Sequence, residues 1–147
     1  MIRTAIVDMP IDTAALLREV TAGSTGATTL FVGTVRDVND GRTVTGIEYT
    51  AYTAMAADEL HRIAEEAAEQ FVGIRVAVEH RLGILQLQDV SVAIAVAHAR
   101  RAPALDASRF VIEELKRRVP IWKCEHYVEG DRQWIDPTAT RAEATLS

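Results

Sequence analysis

Two lysines are the residues whose type and spacing most clearly suggest chemistry. Of the 16 basic side chains in this 147-residue chain, 14 are arginine, and the two lysines, Lys116 and Lys123, stand seven positions apart around Pro120. Arginine keeps its proton at working pH, whereas burial or nearby positive charge lowers the pKa of lysine enough for it to release one. Lysine can also act as a nucleophile. The pattern therefore suggests one site for proton transfer, with two surface lysines of tolerated identity as the alternative.

The segment that holds both lysines is basic. Residues 100–123 contain seven basic and three acidic side chains, a net charge of +4, while the whole chain carries −5. The overall acidity argues against nucleic acid as a partner. The local excess suggests a site for a small anion, in which Arg100 and Arg101 would bind a phosphate or carboxylate by paired hydrogen bonds. A solvated helix face with basic residues near its C-terminus is the alternative.

Hydrophobic periodicity assigns the two lysines to the last helix and the last strand. Apolar residues recur every three or four positions over about 103–118, which predicts a helix there with Lys116 flanking its buried stripe. Pro120 ends this helix, because the residue before a proline disfavours the α conformation. Lys123 then lies on a strand over 121–127. We expect the helix end, this strand and the preceding arginine pair to converge on one pocket.

The rest of the chain indicates short strands and two further helices. Helices are predicted over 12–20, where Asp12 can cap the first turn, and over 53–71. Strands are predicted over 3–7, 28–35, 44–52, 74–80 and 90–98. The polar stretch 37–42, in which Gly41 is free to take a positive φ, is predicted to be a loop and a candidate mobile flap. This order predicts one α+β domain over 1–147, with an antiparallel sheet, about three helices and a flexible tail after about 137.

Other candidate residues carry weaker signals. Arg36 lies between a strand and the polar loop, so its side chain can reach a site or lie on the surface. Cys124 is the single cysteine, which excludes an internal disulfide, and strand alternation points it away from Lys123. That favours an inert thiol over a persulfide carrier. His80 and His98 continue apolar strand faces, as hydrogen-bonded core histidines do, so no metal site is predicted.

Four stretches carry a resemblance to a known family. They are Phe31-Val32-Gly33-Thr34-Val35-Arg36, Glu79-His80-Arg81-Leu82-Gly83, Leu115-Lys116-Arg117-Arg118-Val119-Pro120-Ile121-Trp122-Lys123, and Glu129-Gly130-Asp131-Arg132 with nearby Trp134. In these motifs, which occur in the family's order and span nearly the whole chain, the sequence resembles the molybdopterin synthase large-subunit family. The lysine–proline–tryptophan–lysine stretch is the specific part of the match.

The resemblance implies an α/β-hammerhead fold and a sulfurtransferase. The substrate would be cyclic pyranopterin monophosphate, converted to molybdopterin by two sulfur transfers from a small ubiquitin-like subunit that ends in a Gly-Gly thiocarboxylate. Two large subunits would form a central dimer, and each would bind one small subunit to give a heterotetramer. No cofactor is implied. We expect a cytoplasmic protein, because there is no signal segment and no apolar run reaches the roughly 18 residues of a membrane helix.

The resemblance also implies roles for particular residues. By motif, Lys116 and Lys123 would be catalytic. The residues that would line the pterin or tail site are Thr34, Val35, Arg36, Arg100, Arg101, Cys124 and Glu125. The family usually has His-Arg where this chain has Arg100-Arg101, with His98 two positions earlier. That departure keeps open a non-catalytic module that docks a ubiquitin-like protein, although retention of both lysines argues against it. A different small enzyme that binds a phosphorylated metabolite is a second alternative.

Overall fold

Twelve helices and strands succeed one another along residues 1–136, the part of the chain that the computed structural model describes. They are β1 (Ile2–Val7), α1 (Thr13–Val20), β2 (Ala27–Thr34), β3 (Val38–Asn39), β4 (Arg42–Ala51), α2 (Thr53–Gln70), β5 (Arg75–Arg81), β6 (Gly83–Gln86), β7 (Val90–His98), α3 (Arg101–Arg118), β8 (Ile121–Tyr127) and β9 (Arg132–Ile135). The predicted flexible tail after about 137 lies outside the described residues. No helix within residues 1–136 has the length and apolar character needed to cross a membrane.

The strands form two sheets rather than the one that was predicted. The first has the order β1-β5-β7-β2, in which β1 runs parallel to β5 and the other neighbours are antiparallel. The second has the order β3-β4-β8-β9, with β6 also paired to β4, and is antiparallel throughout. The predicted α+β class with three helices is confirmed. Because β1 and β5 are far apart in sequence, no hairpin constrains them to run in opposite directions.

Side-chain alternation on β7 buries the first sheet on both faces. Residues of one phase are large and join the main core beneath α2 and α3, and residues of the other phase are alanines that pack against α1. The large residues are Val92, Ile94 and Val96, and the alanines are Ala93, Ala95 and Ala97. The small side chains allow α1 to lie close to the sheet. Asp12 caps α1 as predicted, since its carboxylate accepts from the Ala15 amide at 3.1 Å.

Helix α3 returns antiparallel to the strand that precedes it. Its first turn lies near the end of β7, where the Thr29 hydroxyl lies 3.4 Å from the carbonyls of both Ala104 and Val96. Its last turn, which holds Lys116, therefore lies over the start of β7. The ends of β2 and β5 meet there as well, since Thr34 pairs with Val90 and β5 reaches the same level. The connection of β7 to α3 thus brings Lys116 back to the junction of the two sheets.

Three short strands were not predicted. The stretch 37–42, predicted to be a loop, is a hairpin in which β3 pairs with the start of β4. Its turn has positive φ at Asp40 (51°) and Gly41 (75°), which confirms the conformational role of the glycine. Strands β6 and β9 have four residues each and lie on the second sheet beside β4 and β8. So short a segment shows almost no periodicity of its own.

Candidate active site

A cavity of about 250 Å³ opens where the two sheets meet beneath the C-terminal end of α3. Its polar lining includes Thr34, Arg36, Asn39, Lys116, Lys123 and Glu125. These residues come from four parts of the chain, namely the end of β2, the β3–β4 hairpin, α3 and β8. The two lysines therefore share one cavity, as their spacing predicts.

Strand β8 presents its charged residues to the cavity by simple alternation. Lys123 is paired with Tyr49 of β4 and Glu125 with Ile47, and all four side chains lie on the inner face of the second sheet. Cys124, between the two charged residues, takes the opposite phase and pairs with Glu48 and Trp134. The predicted orientation of Cys124, away from Lys123, is confirmed.

Lys116 is set to exchange a proton near neutral pH. Lys116 lines the cavity, and part of the residue is exposed to solvent while the rest is enclosed by protein. This partial burial, followed by the positive charge of Lys123, lowers the pKa of Lys116 from 10.5 to about 8. Most of the amine is protonated at pH 7, yet it can release its proton at little cost.

Lys123 has a different environment, although it lies in the same cavity. Only 7% of the residue is exposed, and its Nζ lies 3.5 Å from Oε1 of Glu125. Burial lowers the pKa of Lys123, and the carboxylate of Glu125 opposes that effect. The paired carboxylate therefore favours the ammonium form of Lys123 and fixes its position.

Glu125 is held by a network that reaches the β3–β4 hairpin. The residue is 2% exposed, and its Oε2 accepts hydrogen bonds of 2.6 Å from both the Asn39 amide and the Tyr127 hydroxyl. The guanidinium of Arg42 stacks 3.6 Å from the centre of the Tyr127 ring and also pairs with Glu129. The stretch predicted as a mobile flap is thus tied at Asn39 to the carboxylate beside Lys123.

The structure separates the predicted substrate-binding residues into two groups. Thr34, Arg36 and Glu125 line the lysine cavity. Val35 does not, because its side chain belongs to the core and its backbone N–H and C=O are bonded to Asp89 and Gln88. Cys124 does not either, since it is buried on the far face, where burial raises the pKa of its thiol. That environment suits an inert thiol.

Arg100 and Arg101 lie at the opposite end of α3. They line a separate concavity of about 530 Å³ together with Gly26, Ala27, Ala99 and Ala102. Arg101 and Lys116 are the first residue of α3 and a residue of its last turn, and fifteen rises of 1.5 Å separate them by about 22 Å. The expectation that they converge on one pocket is therefore wrong within a single chain. Because α3 is one continuous helix, the arginines at its first turn and Lys116 at its last turn stay at opposite ends of the strand beneath it.

His98 has a structural role at the start of α3. Its Nε2 donates to the Val72 carbonyl at 3.1 Å, and its Nδ1 accepts the backbone N–H of Arg100 at 3.0 Å. Arg100 is the N-cap residue of α3 and makes no side-chain capping bond. His98 thus holds the strand end that positions both arginines.

Three residues near the lysines were not predicted as site residues. Asn39 lies in the stretch predicted as a loop, and its contact with Glu125 joins positions 86 apart in sequence. Tyr49 stands opposite Lys123 in the register of β4 and β8, which the sequence does not reveal. His80 is buried, as its place on an apolar strand face predicts, and it lines a small cavity together with Lys116. Within residues 1–136 no three His, Cys, Asp or Glu side chains are grouped to hold a metal ion.

Comparison with known proteins agrees with this geometry. Residues 6–118 match the family model described as MoaE protein, which is more than half of the chain. The chain belongs to the MoaE family. The resemblance to the large subunit of molybdopterin synthase is thereby confirmed. The MoaE match includes Lys116 and the arginine pair and ends before Lys123.

Similar proteins span nearly the full chain. The molybdopterin synthase catalytic subunit of Halalkalibacterium halodurans is 40% identical over 133 residues, which are 90% of this chain and 85% of that protein. The crystal structure of molybdopterin synthase from Staphylococcus aureus has a TM-score of 0.85 at 36% identity, covering 89% of this chain and 95% of that one. A chain of the complex of subunits 1 and 2 of the molybdopterin-converting factor from Helicobacter pylori has a TM-score of 0.72 at 25% identity, with coverage of 94% and 90%.

Proposed function

We propose that this chain is the catalytic subunit of a molybdopterin synthase. It would act as a sulfurtransferase on cyclic pyranopterin monophosphate, with sulfur from the thiocarboxylated Gly-Gly end of a small ubiquitin-like subunit. The observation that carries the proposal is that two lysines with different environments line one cavity. The chain that holds them is 40% identical to a molybdopterin synthase catalytic subunit.

The positive charge of the residues that line the cavity suits the binding of two anionic reactants. Among the described residues, the charged side chains that line it are Arg36, Lys116, Lys123 and Glu125, an excess of positive charge. A cyclic phosphate and a thiocarboxylate are both anions, so one basic cavity can receive both. The planar guanidinium of Arg36 suits the phosphate, because it can donate two parallel hydrogen bonds.

The two lysines would have separate roles. Lys116, with its pKa near 8, suits proton transfer to the substrate atom on which negative charge develops as sulfur adds. Lys123 is paired with Glu125 and held in place, so it suits orientation of the thiocarboxylate carbonyl and stabilisation of the oxyanion that forms there. A non-catalytic docking module needs neither arrangement, and a buried ammonium costs such a module stability without a return.

The arginine pair would serve a second copy of the chain. Since Arg100 and Arg101 lie about 22 Å from Lys116, they can contact the same substrate only across an interface. We therefore place their role at the dimer that the family resemblance implies, where the first turn of α3 in one protomer would complete the lysine cavity of its partner. Each dimer would then carry two substrate sites and bind two small subunits.

The test is product formation by the native chain and by two lysine variants. Molybdopterin is measured from cyclic pyranopterin monophosphate and thiocarboxylated small subunit, with Lys116→Ala, Lys123→Ala and the control Arg109→Ala. Arg109 lies on the same helix with 83% of its side chain exposed. Each lysine variant should fold and lose at least about 100-fold in turnover, and the control should match the native chain. Binding of the small subunit without product from the native chain would instead support a docking module.

A further inference from the structure

A second, much smaller cavity lies behind the two lysines. It measures about 20 Å³, and its polar lining consists of Tyr49, His80, Lys116 and Lys123. Tyr49 and both lysines also line the larger cavity of about 250 Å³, which we call the substrate cavity, so these three residues separate the two cavities. A space of this size with several polar groups around it suits one water molecule. His80 lines this small cavity but not the larger one, and it has no part in the proposed function.

The hydrogen bonding of His80 fixes its tautomer. The residue is 4% exposed, and its Nδ1 lies 3.0 Å from the carbonyl oxygen of Arg81. A carbonyl oxygen only accepts, so Nδ1 must carry a proton. Burial, with the nearby positive charge of Lys116, lowers the pKa of His80 to about 4. The ring is therefore neutral at physiological pH, and its Nε2 is an unprotonated acceptor.

This acceptor nitrogen has a donor nearby. No hydrogen bond within residues 1–136 uses Nε2 of His80, and the rings of His80 and Tyr49 pack edge-to-face at a centroid distance of 5.2 Å. Lys116 lines the same small cavity, and its amine carries three donors when protonated. The other titratable groups around that cavity are Tyr49 of β4 and Lys123 of β8, and Lys123 is already paired with Glu125.

We propose that His80 is a positioning residue for Lys116, whose ammonium donates a hydrogen bond to Nε2 of the neutral imidazole, directly or through one water in the small cavity. The contact anchors the amine on the inner wall and directs its remaining N–H groups towards the substrate cavity. It also stabilises the charged form against the burial that disfavours it. The importance of this contact for turnover rests on the proposed function, whereas the contact itself does not.

The chain offers a direct measurement because it has only two lysines. Labelling lysine with 13C at Cε gives two side-chain signals, which Lys116→Arg assigns and whose pH titrations report each pKa. His80→Leu fills the space without an acceptor, and His80→Gln keeps an amide oxygen near the position of Nε2. We expect His80→Leu to lower the pKa of Lys116 by roughly 0.5 to 1 unit and His80→Gln to lower it much less, with Lys123 unchanged. Equal titrations of Lys116 in the two variants would overturn the proposal.

A second measurement does not depend on the folding of a His80 variant. In the native chain labelled with 15N-histidine, Nε2 of His80 should show the chemical shift of an unprotonated nitrogen, and Lys116→Met should move it towards the value of an acceptor without a donor. A protonated Nε2 in the native chain would overturn the proposal, and so would an Nε2 signal that Lys116→Met leaves in place.

Turnover separates this inference from the proposed function. If Lys116 is the proton donor and His80 positions it, His80→Leu lowers kcat about tenfold with little change in KM, and His80→Gln restores most of the loss. Native turnover together with identical kcat values for the two variants would reject the positioning role and leave the function intact. Different Lys116 titrations in a chain that makes no product would reject the function and leave the contact intact.

Discussion

Oε1 of Glu125 lies 3.5 Å from Nζ of Lys123, and both side chains are almost entirely enclosed by protein. The other carboxylate oxygen is occupied by Asn39 and Tyr127. Lys116, by contrast, opens to the cavity, and the charge that acts on it most is that of Lys123. Two lysines from one short motif are thus chemically distinct, and that difference supports giving them different roles.

Removal of the Glu125 charge should change Lys123 before anything else. In Glu125→Gln the shape is kept, but the carboxylate that favours the ammonium is lost, so the pKa of Lys123 should fall further. We also expect the free energy of unfolding at pH 7 to fall by roughly 1–3 kcal/mol, because a buried pair loses one partner. Lysine NMR titration and urea unfolding measure the two effects. Glu113→Gln is the control, because the Glu113 side chain lies on the exposed face of α3. An unchanged titration of Lys123 in Glu125→Gln would contradict the prediction.

The hydroxyl of Tyr127 should act chiefly through Glu125, because its other contact, to Oε1 of Gln133, is longer at 3.4 Å. Tyr127→Phe removes the 2.6 Å hydrogen bond to the carboxylate and keeps the ring that packs beneath Arg42. We expect a loss of about 1 kcal/mol in the free energy of unfolding and a fall in turnover smaller than that of Lys123→Ala. Tyr52→Phe is the matched control, since Tyr52 is 74% exposed. A variant as stable and as active as this control would remove Tyr127 from the network.

Lys116 should weaken the fold below pH 8. Its pKa in the folded chain, about 8, is below the 10.5 of the unfolded chain, so the unfolded state binds more protons between those values. The cost of the charge is fully present below pH 8 and disappears as the pH rises towards 10.5. Lys116→Met should therefore be more stable than the native chain at pH 7 by roughly 1 kcal/mol, after allowance for the solvent in the cavity. Urea unfolding at pH 7 and pH 10 tests whether this difference shrinks.

The part of the site that was predictable comes from local patterns. The apolar stripe of α3 and the stop at Pro120 fix the phase of Lys116, and alternation along 121–127 turns Lys123 and Cys124 to opposite faces. Both features depend on neighbours within a few positions. The strands predicted over 90–98 and 121–127 have the predicted bounds for the same reason.

The remainder of the site depends on contacts that no local pattern encodes. Asn39 reaches Glu125 only because β3 folds back on β4 and β4 pairs with β8. The apolar face that continues to His80 predicts burial, and the position of Lys116 above it follows from the return of α3. The arginine pair was misplaced because its distance from the lysines is set by the length of that helix.

Mixed dimers test whether the arginine pair acts across an interface. Arg101→Ala and Lys116→Ala should each be nearly inactive alone, because each removes one component from every site. In a heterodimer that carries one variant on each protomer, a site shared between protomers leaves one intact cavity and one that lacks both residues. Purification through two different tags should therefore recover about half of the native rate per dimer. If each site uses residues of a single chain, both sites stay defective and the heterodimer is as inactive as its parents. Arg109→Ala paired with Lys116→Ala is the control, and its rate should also be about half, from the one unaltered lysine site.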